Sequence, residues 1–455
     1  MEEIILFVVF SGIAVSYGWG MRGTIIGGEK GAMLPGAFMG LLIALFSGSA
    51  VLSSAPWILA GAGALTMYCG GCMTYGETLH LSMGENTSPT LTKGLIALFI
   101  KGGIWFGIFG GLLSLFITAI SGQLKIWQLI PFFCLLPAFA LTFYFIFNKP
   151  LNPEENKFPK IYFSIKRQES WGGLLGILIE IIIFAFIIKD WSCLAMILGS
   201  FLSGSVGWVI GQIMQIKGKY PNKKGKHFFD KLYRKNALET WKLMECTLGA
   251  FGGMGCAITF ILTKPLFAEK FSLIDANGLH SYIPENKITF LLTVLYLVIL
   301  AADYAQYIIV PKNTVKYKKY KKLCNDTEFA VYSTIPLLLG MLGAHRIIEI
   351  IAVPVVLHVL CQELLEKEIK LKKADILDKI LSLIPVSATL IFIFAAKKSI
   401  SVSGMMLIYT FIYEAAYFRM KKIEENELSL NNGEKAVHGY FIACCVLLYL
   451  ISIIL

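Results

Sequence analysis

Apolar positions in this chain come in runs of about 17–25, the length that crosses a hydrocarbon core about 30 Å thick as a helix. Short polar segments separate the runs. They predict about fourteen transmembrane helices (12–14), at roughly 3–19, 33–48, 54–75, 94–120, 125–147, 171–189, 191–212, 244–263, 288–310, 328–344, 346–361, 378–396, 402–418 and 437–455. The expected fold class is an all-α polytopic integral membrane protein.

Composition agrees with the pattern. The 455 residues are 56% hydrophobic and 16% charged, with a mean hydropathy of +0.67. Soluble domains carry about 25% charged residues. A soluble enzyme, a nucleic-acid-binding module and a disordered scaffold are excluded. The formal net charge of +11 calls for no nucleic acid, because 29 of the 41 Lys and Arg fall in five loops: 148–170, 213–242, 311–327, 362–379 and 419–436. Alternating outward from those loops puts every one on the same side. The positive-inside rule makes that side cytoplasmic and both termini extracytoplasmic, in a multi-pass cell (plasma) membrane protein, the inner membrane for a bacterial chain. The expected partners are the lipid bilayer, a small-molecule solute and a coupling ion, with room for a homo-oligomer. Met1-Glu2-Glu3 has no basic n-region, so a cleaved signal peptide is not expected. Most cysteines lie inside apolar runs, which gives no disulfide framework.

Glycine divides the chain: 36 of 42 glycines precede residue 260. Small residues allow close helix approach and permit unwound backbone beside a cavity. This suggests a glycine-rich core of about eight helices, 1–263, carrying the site, and a glycine-poor bundle of about six, 264–455. The longest loop mixes cations with aromatics around His227-Phe228-Phe229-Asp230, as a solvated loop or an interfacial helix would.

The most informative segment is 17–40, YGWGMRGTIIGGEKGAMLPGAFMG, with eight glycines, one proline, Arg22, Glu29 and Lys30. Gly and Pro weaken helix, so a broken or re-entrant helix is expected near Gly27-Gly28. Freed N–H groups with Arg22 make an anion site, because guanidinium suits bidentate carboxylate or phosphate recognition. Glu29 and freed carbonyls favour a cation. A tight loop closed by an Arg22–Glu29 pair is the competing reading.

Other ionisable groups interrupt the runs, where each is costly and so a functional candidate. Glu180 sits centrally in 171–189 with no cation within a turn, as a proton-coupling group or a helix contact. Glu77 and His80 share a helix face, suited to a relay. Glu-x-x-His is half of a carboxylate-bridged metal site, but no second pair exists, so no metal or other cofactor is expected. Cys69-Gly-Gly-Cys72 reads as small residues packing on a neighbour. Lys101 reads as snorkelling to the membrane edge. Glu245 opens a glycine-rich span, where a carboxylate suits a helix N-terminus or a relay. His345, Arg346 and Glu349 form a charged node at the external edge. Asp303, His358 and Glu414 read as helix contacts.

Trp19-Gly20, followed by Glu29, faintly echoes Trp171-Gly172-Gly173, followed by Glu180. An inverted repeat would leave such a trace and bring Arg22, Glu29 and Glu180 near one cavity. These features point to a secondary active transporter (a symporter) of a small polar, anionic solute, with no catalytic residues. Trp19, Arg22, Glu29, Lys30 and Trp171 would bind substrate. Glu77, His80, Glu180 and Glu245 would carry the proton or sodium coupling. The alternative is an integral-membrane transferase or hydrolase acting on a lipid-linked substrate. Lipid-glycosyl transfer fits poorly, since no Asp precedes Asp190 to serve in an early external loop. No Walker A sequence is present, which excludes a built-in ATPase of that type.

Overall fold

The computed structural model describes residues 2–22, 28–71, 75–83, 88–152, 154–163, 169–220, 228, 230–231, 239–281, 283–309, 329–349 and 432–454. Among these there is no strand, and the fold is all-α. The helices are α1 Glu2–Arg22, α2 Gly28–Gly31, α3 Met33–Phe46, α4 Ala50–Ser54, α5 Pro56–Gly71, α6 Gly76–Ser82, α7 Ser88–Ile120 and α8 Ile126–Asn148. They continue with α9 Trp171–Ile187, α10 Trp191–Lys219, α11 Thr240–Leu273, α12 Ala276–His280, α13 Lys287–Ile309, a π-helical turn Ala330–Thr334, α14 Ile335–Met341 and α15 Asn432–Ile454.

Among the described residues, five helices are long and apolar enough to cross a membrane: Glu2–Met21, Leu91–Ile120, Ile126–Asn148, Trp191–Lys219 and Thr240–Leu273. Large apolar side chains stay exposed along α8 and α13, among them Leu135, Leu141, Phe145, Leu291 and Val298. Water would not tolerate such a surface, whereas lipid does. The chain is therefore membrane-embedded. Helices occupy the apolar runs expected up to residue 344 and at the C-terminus. The runs 378–396 and 402–418, and 346–361 beyond residue 349, lie outside the described residues, as do His358 and Glu414 and the side chain of Asp303.

Packing follows the glycines. α1 lies along α11, α11 along α10, and α10 along α7; α3 pairs with α5, and α8 with α9. α3 and α5 are short, about 21 and 24 Å at 1.5 Å per residue, and are buried almost all round. A helix apolar on every face belongs in the interior. Gly36 and Gly63 let the two backbones touch, each with its Cα against the other's carbonyl, and Gly40 meets the Leu59 carbonyl. A methyl at 40 would strike backbone, which cannot rotate away. Gly40→Ala should therefore destabilise the purified protein by about 1–3 kcal/mol, read as a lowered Tm in detergent. An unchanged Tm would mean the pair is looser than described.

One expected span lengthens. The span read as 244–263 continues through Pro265 to Leu273, because the neighbouring helices hold α11 past the hydrogen bond that proline removes. The compositional division at 263/264 thus falls inside a helix. α15 packs on α1, with Phe441 edge-on to Tyr17 at 5.5 Å, and Ser333 donates to the Leu65 carbonyl at 3.2 Å.

Candidate functional site

α1 is described to Arg22 and α2 from Gly28, and residues 23–27 of the glycine-rich segment lie outside the described residues. α5 ends at Gly71 at the same end of the bundle, followed by the short α6. The first turns of α9 and α11, the N-terminal half of α7 and the last turns of α10 reach this level too.

Trp19 is wholly buried there. It stands edge-on to Trp105 at 5.1 Å and to Trp208 at 6.0 Å, and lies over Phe106 at 6.2 Å. Tyr75 closes the group against Trp208 at 4.9 Å. Edge-to-face contacts of this kind add about 0.5–1.5 kcal/mol each beyond burial. The Trp105 indole donates to the Met67 carbonyl at 2.9 Å. Gly102 is needed because any side chain there would enter the Trp208 ring. Gly70 and Gly71, within the Cys-x-x-Cys segment, seat Trp105; Cys69 is buried, and Cys72 lies outside the described residues.

Two buried ion pairs flank this aromatic group. Lys101, one turn before Trp105, does not snorkel: it is 2% exposed, and its Nζ donates to Glu169 at 2.6 Å and to Thr78 at 2.8 Å. The other oxygen of Glu169 accepts the Phe163 amide at 2.8 Å. Phe163 packs on Trp171 at 5.5 Å, which places Trp171 beside this pair. On the other flank Lys242 donates to Glu245 at 2.7 Å and to the Gly20 carbonyl at 2.8 Å. An ammonium at the C-terminal end of α1 suits the helix dipole. Glu245 also accepts from the Trp241 indole at 3.0 Å. Its partners are thus fixed, and they tie α11 to the end of α1.

The remaining expected residues are placed as follows. Lys30 lies half-buried on α2, while the side chains of Arg22, Glu29 and Glu77 lie outside the description. His80 is exposed on α6, and its Nδ1 donates to the Gly76 carbonyl at 2.9 Å. Glu180 is buried in α9 with neither carboxylate oxygen bonded. It shares the face of Gly173 and Gly176, which pack on α8. Gly176 meets Phe139, and Phe184 stacks on Phe132 at 4.6 Å, so Glu180 comes level with the α8 turn between them. Pro137 in that turn leaves the Phe133 carbonyl without its helical donor. Glu180 lies on the α8–α9 seam, apart from the aromatic group of Trp19.

Sequence reasoning passed over a second polar cluster at the opposite end. Lys101 and Thr118, both on α7, are about 26 Å apart along the axis. There Lys270 Nζ donates to Asp190, Thr118 and Ser192, each at 2.6 Å. Asp190 also accepts from Thr118, Ser192 and the Cys193 amide, capping α10. Burial pushes the Asp190 carboxyl up, but Lys270 and the two hydroxyls outweigh it and hold it below the ordinary carboxylate range. The preceding Lys189 has φ +57°, a left-handed backbone that turns α9 into α10 at about 1–2 kcal/mol. The signals in sequence were an Asp between two apolar runs and a lone Lys after Pro265.

At the other expected node, Arg346 pairs with Glu349 at 3.1 Å, and His345 donates to the Gly340 carbonyl at 2.8 Å. Among the described residues no three His, Cys, Asp or Glu side chains gather as metal ligands.

Fold and site together define a helical membrane-embedded protein with buried ion pairs at both ends of the bundle. No family model, curated protein or solved structure matches the chain.

Proposed function

We propose that the chain is a secondary active transporter of a small polar, anionic solute, coupled to protons or sodium ions. It would sit in the cell membrane with its basic loops cytoplasmic and its termini outside. One observation carries this reading: two buried Lys–Glu pairs and the two-turn helix α6 gather at one level of the bundle, beside the glycine-rich segment. A broken helix in the glycine-rich segment would leave backbone groups unpaired, and a solute and a coupling ion could be held there and released as elements rock. Arg22 ends α1 and would take the anion with the N–H groups opening α2, supported by Lys30. Glu29 would hold the cation, and Trp19 and Trp171 would wall the cavity. Lys242 bridges Glu245 and the Gly20 carbonyl, so a change at Glu245 would reach the end of α1 directly. Glu180 would carry the coupling proton, and Glu77 and His80 would serve the gate.

The test is the thermal stability of purified protein against organic acids, phosphorylated sugars, amino acids and nucleosides, with Arg22→Gln alongside. A ligand at 100 times its Kd adds about 2.7 kcal/mol to the folded state. The expected result is a raised Tm from one anionic class, absent in Arg22→Gln. A shift that persists in the variant would overturn the Arg22 assignment. No shift from any soluble compound would favour a lipid-modifying enzyme.

A further inference from the structure

The Asp190–Lys270 cluster forms the floor of a cavity of about 390 Å³ between the ends of α7, α9, α10 and α11. That size suits a small ligand. The floor is satisfied: the three protons of Lys270 Nζ are all donated, and both oxygens of Asp190 accept. The mouth is different. Lys189 and Glu269 both line it, both are exposed, and neither forms an ion pair among the described residues. The left-handed backbone at Lys189 places a cation where glycine would fit most easily.

We propose that this cavity binds a compact zwitterion, its oxyanion held by Lys189 and its primary ammonium by Glu269. A cavity whose mouth holds one unpaired charge of each sign favours a ligand with both over a simple anion or cation. The same chemistry occurs in a free aminophosphate and in a phosphatidylethanolamine headgroup. Trp191 lines the cavity and is 59% exposed, and Trp127 near the start of α8 is 65% exposed. Exposed tryptophans mark the membrane–water interface, which puts the opening at headgroup depth. The site lies at the far end from Arg22 and stands independently of the transport reading.

Native mass spectrometry of the full chain, titrated with phosphatidylethanolamine, phosphatidylglycerol or phosphatidylcholine, tests the site, with O-phosphoethanolamine added in a parallel thermal-shift series. The expected result is preferential retention of phosphatidylethanolamine, weakened about tenfold or more in Lys189→Gln and in Glu269→Gln, the loss of one charge-assisted bond. A shift from O-phosphoethanolamine as well would name a free aminophosphate as a second source. Equal retention of phosphatidylglycerol by the wild type would overturn the proposal. So would lipid binding unchanged in both variants, or variants that lower Tm without ligand and leave binding alone, which is how a Lys189–Glu269 pair would behave.

Discussion

Glu180→Gln in proteoliposomes is expected to abolish proton-driven accumulation while leaving exchange of solute intact. The carboxyl lies between α8 and α9 with both oxygens unbonded. An ionised carboxylate without a partner in apolar surroundings costs several kcal/mol. Pro137 loosens the α8 turn level with it, giving that helix a place to bend. Glutamine keeps the shape and removes the proton. With one proton per solute, a gradient of one pH unit supports about tenfold accumulation. The variant should bring that ratio to one, while counterflow across equal pH continues. Retained accumulation would remove Glu180 from coupling.

Asp190→Asn is expected to cost about 3–5 kcal/mol of folding stability, because it leaves the buried Lys270 ammonium without a counterion. Lys270→Met should cost a similar amount by stranding the carboxylate. The double variant should recover much of either loss, since it removes both charges. The pH dependence has a definite sign. The Asp190 carboxyl sits below its ordinary range in the folded state. Its stabilising share is therefore complete above about pH 4, the ordinary carboxylate value, and is lost as pH falls through the lowered folded value. Thermal unfolding in detergent from pH 7 down to pH 3 reads this. A double variant no better than either single one would show that the cluster holds the helix ends by packing instead.

The helices were legible because crossing lipid imposes a length and an apolar composition that few other structures share. The broken helix that the eight glycines and one proline of 17–40 suggest falls on residues 23–27, outside the described residues. The ion pairs were not legible. Lys101 and Glu169 are 68 residues apart, and Asp190 and Lys270 are 80 apart. Only the packing of α7 against α6 and α9, and of α11 against α10, decides which charges meet. Lys101 read as a membrane-edge lysine because its own helix offers it no partner. Lys270 was hidden for another reason, since the apolar run ends at 263 while α11 continues to Leu273. The cavity between Lys189 and Glu269 follows from the same unread helix end.

Uptake into proteoliposomes under an imposed inward proton or sodium gradient tests transport most directly. Radiolabelled members of the anionic class that raises Tm would be supplied outside, with Arg22→Gln reconstituted in parallel. Transport predicts accumulation in wild-type vesicles that collapses with a protonophore or a sodium ionophore and is absent in Arg22→Gln. Vesicles that bind the solute but never take it up, with or without either gradient, would contradict it.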